Sequence, residues 1–162
     1  MNILWDELTS GLPNAEELAH ALIRLLAAAL LGAIVGMQRE KARKPAGLRT
    51  HMLVCLGTTV FVLACTGVGM SMDGVSRVVQ GVITGIGFIG AGSILKVDAE
   101  RSIRGLTSAA GIWMTAAIGV AVGVGSLGVA MLSTLATLGV LALVGPLERR
   151  DAKSPLIRDT DS

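Results

Sequence analysis

Apolar residues along this chain gather into five long runs, and no stretch alternates apolar with polar in the way of a strand. The runs cover roughly His20 to Met37, Met52 to Met70, Val78 to Leu95, Leu106 to Gly125 and Leu127 to Val144. Each is near the length that a helix needs to cross a hydrocarbon core of about 30 Å. A segment in lipid must satisfy its backbone internally, so each run predicts a transmembrane helix, and the lack of alternation argues against a membrane barrel. The expected fold is all-α: a polytopic membrane helical bundle of about five transmembrane helices. Residues 1–19 form an N-terminal segment outside the membrane, 20–145 the membrane domain and 146–162 a short polar tail.

Charge gives the bundle a direction. Arg39, Lys41, Arg43, Lys44 and Arg49 fill the first connection, Lys96, Arg101 and Arg104 the third, and Arg149, Arg150, Lys153 and Arg158 follow the fifth run. If the runs cross alternately, all of these fall on one side. Arg77 falls on the other, with Asp6, Glu7, Glu16, Glu17 and Asp73. Basic loops stay in the cytoplasm, which predicts the N-terminus outside and the C-terminus inside. The first 19 residues contain acids and no Lys or Arg, unlike a secretory signal.

Composition agrees with a membrane address. Hydrophobic residues make up 52% of the 162 and charged residues 16%, against about a quarter charged in a soluble domain. The 21 glycines matter more, because small residues let helices approach in lipid. Ala28, Gly32 and Gly36 form one row, Gly81, Gly85 and Gly92 a second, and Gly111, Thr115, Gly119 and Gly123 a third. These rows predict a tight bundle or a homo-oligomer. The third run holds Gly81, Gly85, Gly87, Gly90 and Gly92, and is read either as a close-packing face or as a kinked, partly unwound helix beside a cavity. Cys55 and Cys65 are too far apart on one helix to bridge, and are expected as two reduced thiols.

Candidate chemistry is sparse. No Asp or Glu lies within an apolar run, and Mg2+ favours carboxylate oxygens. Arg24 is the one charge inside a run, placed to snorkel outward or to pair with Glu17 or Asp73. Thr58, Thr59, Thr84, Ser108 and Thr115 are expected to bond to their own helix or a neighbour. The densest polar cluster surrounds the first connection, where Glu40 can reach Arg49, and reads either as lipid-headgroup anchors or as a site for an anionic or protein partner. Hydrolase, metalloprotease and phosphate-loop motifs are absent, and Gly85, Gly87 and Gly90 match a dinucleotide pattern only within a membrane run. His20 and His51 fall at opposite faces. No enzymatic activity, cofactor or nucleic-acid partner is expected, and the bilayer is the obligatory partner.

Three motifs carry a resemblance. GLRTHMLVCLG at 47–57, GVITGIGFIGAGSIL at 81–95 and IRGLTSAAGIWMTAAIG at 103–119 closely resemble the MgtC/SapB family of bacterial inner-membrane proteins, over roughly residues 20–145. The family's namesake branch adds a soluble C-terminal domain. This chain ends about 17 residues after Gly145 and resembles the short branch. The resemblance implies a multi-pass inner-membrane protein tied to magnesium homeostasis, low-magnesium or stress adaptation and virulence-related survival. It would act without catalysis through contacts with other membrane proteins, the ATP synthase being one such partner. The alternative is a transporter or channel for Mg2+ or another ion. Matching the motifs makes Arg39, Glu40, Arg49, Thr50, His51, Thr84, Gly90, Gly92, Thr107 and Trp113 the functional candidates. Gln38 departs from the family's usual Glu in the first connection, which removes one oxygen ligand from any metal site there.

Overall fold

A computed structural model describes Ile3 and residues 14–97 and 102–151, with side chains described for Ile3 and residues 14–94 and 105–143. Five helices form α1 (Ala15–Lys41), α2 (Leu48–Gly67), α3 (Met72–Gly92), α4 (Leu106–Gly123) and α5 (Leu127–Asp151). The first four are long and apolar enough to span a membrane. The described apolar stretch of α5, Leu127–Leu143, is shorter. This is a helical membrane bundle and a multi-pass membrane protein.

Local chemistry sets the boundaries. Asn14 accepts a 2.8 Å hydrogen bond from the Glu17 backbone N–H, and Glu17 accepts one of 3.2 Å from the Asn14 N–H. This reciprocal cap satisfies two otherwise orphaned donors. It starts α1 at Ala15, five residues before the expected edge, and engages Glu17 locally. Ser71 caps α3 through the Gly74 N–H. Between α3 and α4 the chain forms a small antiparallel hairpin, β1 (Leu95–Val97) with β2 (Ser102–Arg104), which the sequence did not announce. Gly105 closes its neck at φ 99°, where a Cβ would collide with the Ser93 carbonyl oxygen. α5 continues through Pro146 to Asp151, so the expected tail boundary falls inside a helix. Residues 1, 2, 4–13, 98–101 and 152–162, with most of the expected N-terminal and C-terminal segments, lie outside the described residues.

α4 is the centre of the bundle. Its buried residues include Ser108, Gly111, Ile112, Thr115, Ala116, Ile118, Gly119, Val122 and Gly123. α1 and α2 make an antiparallel hairpin pressed together at glycine. A Cβ at Gly32 would lie 2.8 Å from the His51 carbonyl oxygen, and one at Gly36 would lie 2.7 Å from Leu48 Cα. α2 runs parallel to α4. The pairs His51–Thr115, Thr59–Gly119 and Val62–Gly123 advance in the same direction along both helices. Gly119 and Gly123 face α2, with Cβ positions 2.5 Å from the Cys55 carbonyl oxygen and 2.6 Å from Val62 Cβ. Two of the three predicted small-residue rows therefore meet within the chain.

The row on α3 does not. A Cβ at Gly81, Gly85, Gly87 or Gly92 would meet no atom of the described residues within 4 Å. α3 is an uninterrupted helix that contacts α4 where Gly90 approaches Ala109. Gly81 and Gly85 instead join Gly57, Leu53, Phe61 and Ile89 in lining an apolar groove of about 650 Å³ between α2 and α3. Many large apolar side chains, such as Leu26, Leu53, Phe88, Leu132 and Leu143, point outward, while the buried set includes threonine, serine, histidine and arginine. In lipid that is the economical arrangement, because leucine gains little by leaving hydrocarbon and polar groups gain by meeting each other.

Candidate functional site

The buried polar groups cluster where α1 ends and where α2 and α4 begin. Arg39 is only 2% exposed, and its Nη2 donates a 2.9 Å hydrogen bond to Ser108 Oγ. His51 is fully buried, with Nδ1 at 2.7 Å from Thr115 Oγ1. Thr115 Oγ1 also lies 2.9 Å from the Gly111 carbonyl oxygen, one turn back on its own helix. A threonine hydroxyl has one proton, and the carbonyl can only accept. Thr115 Oγ1 thus sits between the Gly111 carbonyl oxygen and His51 Nδ1 and holds the imidazole in place, with the direction of the Thr115–His51 hydrogen bond set by the histidine tautomer.

Helix geometry explains the convergence. Ser108, Gly111, Thr115, Gly119 and Gly123 recur at three- and four-residue steps, which puts them on one face of α4. α1 crosses this face in the opposite direction and α2 in the same direction, so the cluster gathers at one end of the bundle. The first basic connection and the hairpin before α4 both emerge at that end. At the other end Arg24 Nη1 donates a 2.9 Å hydrogen bond to the Gly123 carbonyl oxygen. Arg24 thus caps the C-terminus of α4, where unpaired carbonyls favour a cation, and does not pair with Glu17.

Of the predicted site residues, Arg39 and His51 come together in the core. Glu40 stands beside them in sequence, exposed, with Oε2 accepting a 3.0 Å hydrogen bond from the Leu48 N–H at the start of α2. It does not pair with Arg49: among the described residues the one contact within 4 Å between a basic and an acidic side chain joins His20 to Glu16 at 3.9 Å. Arg49 is exposed and Thr50 half-buried. Thr84 is exposed and bonds back to the Gln80 carbonyl oxygen. Gly92 and Thr107 are exposed, Trp113 is 47% exposed, and Gly90 is buried against α4. The candidates on α3 and α4 thus do not join the Arg39–His51 cluster. Ser108 and Thr115, expected only as mild polar groups, are its inner members. Their spacing with Gly111 was the signal available to find them. Thr58 and Thr59 behave as expected, the first bonding within α2 and the second donating to the Gly119 carbonyl oxygen at 2.8 Å.

The cluster is rich in donors and contains a cation. Such a site suits an acceptor or anionic group and repels a bare divalent cation. Among the described residues no three His, Cys, Asp or Glu side chains converge to hold a metal.

Comparison with known proteins gives the chain its family. The model of the MgtC family matches residues 25–150. Protein SrpB of Synechococcus elongatus is 40% identical over 137 residues, covering 78% of this chain and 75% of SrpB. The putative magnesium transporter YhiD of Escherichia coli is 41% identical over 139 residues, covering 82% of this chain and 64% of YhiD. Protein MgtC of Salmonella typhimurium is 37% identical over 135 residues, covering 83% of this chain and 57% of MgtC. No solved structure matches. With the family model matching residues 25–150 and three relatives at 37–41% identity each covering more than three quarters of the chain, this protein belongs to the MgtC family.

Proposed function

We propose that this chain serves magnesium homeostasis and stress adaptation in a bacterial inner membrane, without catalysis, by docking other membrane proteins. Its basic end faces the cytoplasm, as the positive-inside rule directs. The observation that carries the docking role is the open groove between α2 and α3. Its glycines at 57, 81 and 85 leave backbone accessible at the lipid-facing surface, where a Cβ would touch nothing. Small residues in such a position admit a second helix at close range. The link to magnesium draws on the similarity to YhiD, a putative magnesium transporter. A Mg2+ carrier is the rival role, and the buried Arg39 guanidinium counts against a cation route along the α1–α2–α4 seam.

The test uses a bacterium lacking its own relative and grown on limiting magnesium. The wild-type chain should restore growth. The doubly filled variant Gly81→Leu with Gly85→Leu should fail, at equal membrane abundance. Purified protein in liposomes loaded with a magnesium dye should admit no saturable Mg2+ flux. Saturable flux, or full rescue by the filled variant, overturns the docking role.

A further inference from the structure

Arg49 and Thr50 stand apart from the buried Arg39–His51 cluster, and their place in the fold gives them a different task. They lie on the first turn of α2, four residues before Leu53 and Val54, so each neighbours one of those side chains along the helix surface. Leu53 and Val54 line the end of the α2–α3 groove nearest the basic connection. The C-terminus of α3 lies at the same end. Arg49 is exposed, and among the described residues no carboxylate lies within 4 Å of it. The exposed Lys41, Arg43 and Lys44 share that end.

The groove has the depth of one leaflet. From Val78 to Ile89 its wall on α3 rises about 17 Å, against about 15 Å for half of a bilayer's hydrocarbon core. It begins about one turn inside the basic end, since Ile89 lies one turn before Gly92, where α3 stops. Its one polar member, Thr58, bonds to carbonyls of its own helix. Glycines at 57, 81 and 85 keep it concave. A flexible hydrocarbon chain lying there touches two helices, whereas on a convex helix surface it touches one, and dispersion contacts add.

We propose that the groove holds one acyl chain of an anionic phospholipid from the leaflet at the basic end, with the phosphate on Arg49 beside the Thr50 hydroxyl. An apolar slot of leaflet depth beneath a cation matches that ligand in both of its parts. The guanidinium donates to phosphate oxygens in a fixed fork, and a threonine hydroxyl adds a donor. Basic pockets between membrane helices take anionic headgroups by the same attraction. This inference does not rest on the docking role, and a docking helix would have to displace the lipid.

Native mass spectrometry tests it on the full chain, released from detergent micelles after exchange with phosphatidylglycerol or phosphatidylcholine of identical acyl chains. The wild-type chain should retain one phosphatidylglycerol under collisional activation that strips phosphatidylcholine. Arg49→Gln should lower the ratio of the two retained lipids by about fivefold, the share of one arginine at an anionic surface. Arg77→Gln, near the opposite end, should leave the ratio unchanged. Gly81→Leu with Gly85→Leu should abolish retention, with circular dichroism reporting that the helices remain. If that protein unfolds, Gly57→Leu on the facing wall takes its place, where a Cβ also meets no described atom within 4 Å. Equal retention of the two lipids, or retention of neither, overturns the site. So does an unchanged ratio in Arg49→Gln, an equal fall in Arg77→Gln, or a lipid still held by the folded filled variant. Growth on limiting magnesium reports on docking separately: rescue by a filled variant that has lost its lipid overturns docking and leaves the lipid site standing.

Discussion

Arg24 and Arg39, on one helix, clamp opposite ends of another: Arg24 holds the Gly123 carbonyl at the C-terminus of α4, and Arg39 holds Ser108 near its N-terminus. The two arginines and the two positions they hold are separated by the same number of residues, about 22 Å of helix rise on each side. Equal spans on antiparallel helices set the register of α1 against α4. Replacing Arg24 by Leu keeps bulk and removes the cap. We expect a loss of about 1–3 kcal/mol, with Arg24→Lys retaining part of the stability. Thermal unfolding in one detergent, compared across the variants, measures it.

Glycines on different helices should respond oppositely to one added methyl group. At Gly119 a Cβ would collide with Thr58 Oγ1 and press on the Cys55 carbonyl. Gly119→Ala should destabilise by about 1–3 kcal/mol, the usual cost of overpacking. At Gly81 and Gly85 the added methyl meets nothing. Those substitutions should be neutral or gain up to ~1 kcal/mol from helix propensity. Melting temperatures of the single variants decide the ordering.

The hydrogen bond between His51 and Thr115 should appear as a coupling. Thr115→Val keeps the shape and leaves His51 Nδ1 unpaired, at a cost of about 1–3 kcal/mol. Thr115→Ser should restore most of it. In a double-mutant cycle with His51→Leu, the two losses should fall short of additivity by roughly 0.5–3 kcal/mol. Strict additivity in chemical denaturation would mean that the two side chains act separately.

Membrane orientation can be read on a low background, because both native thiols, Cys55 and Cys65, are buried. In intact cells an impermeant maleimide should label Asp73→Cys and spare Lys44→Cys. Labelling of Lys44→Cys from outside would invert the topology.

Much of this fold was legible because lipid imposes simple rules. Run length placed the five described helices, and the first and third basic connections emerge at one end of the bundle. The rows through Gly32 and Gly36 and through Gly119 and Gly123 identified real contacts. The row through Gly81 and Gly85 has the same spacing but lines an open groove, because spacing identifies a smooth face without naming what covers it. The site was half legible. Arg39 and His51 stood out as polar residues at helix ends. Ser108 and Thr115 did not, since a hydroxyl in a membrane helix usually bonds to its own backbone. Only the parallel register of α2 with α4 turns Thr115 into a partner for His51. Arg24 was legible only in part for a similar reason: it reaches toward its own end of the bundle, but its acceptor there is a backbone carbonyl, which no residue type marks.

The clamps also impose a timetable on synthesis. Arg39 finds its hydroxyl 69 residues later in the chain, His51 finds its own 64 later, and Arg24 waits 99 residues for its carbonyl. At a ribosomal pace of about 5–20 residues per second, the first hairpin stands in the membrane for several seconds with these groups unsatisfied. Nascent α1 and α2 therefore hold these polar groups without their folded partners until α4 arrives.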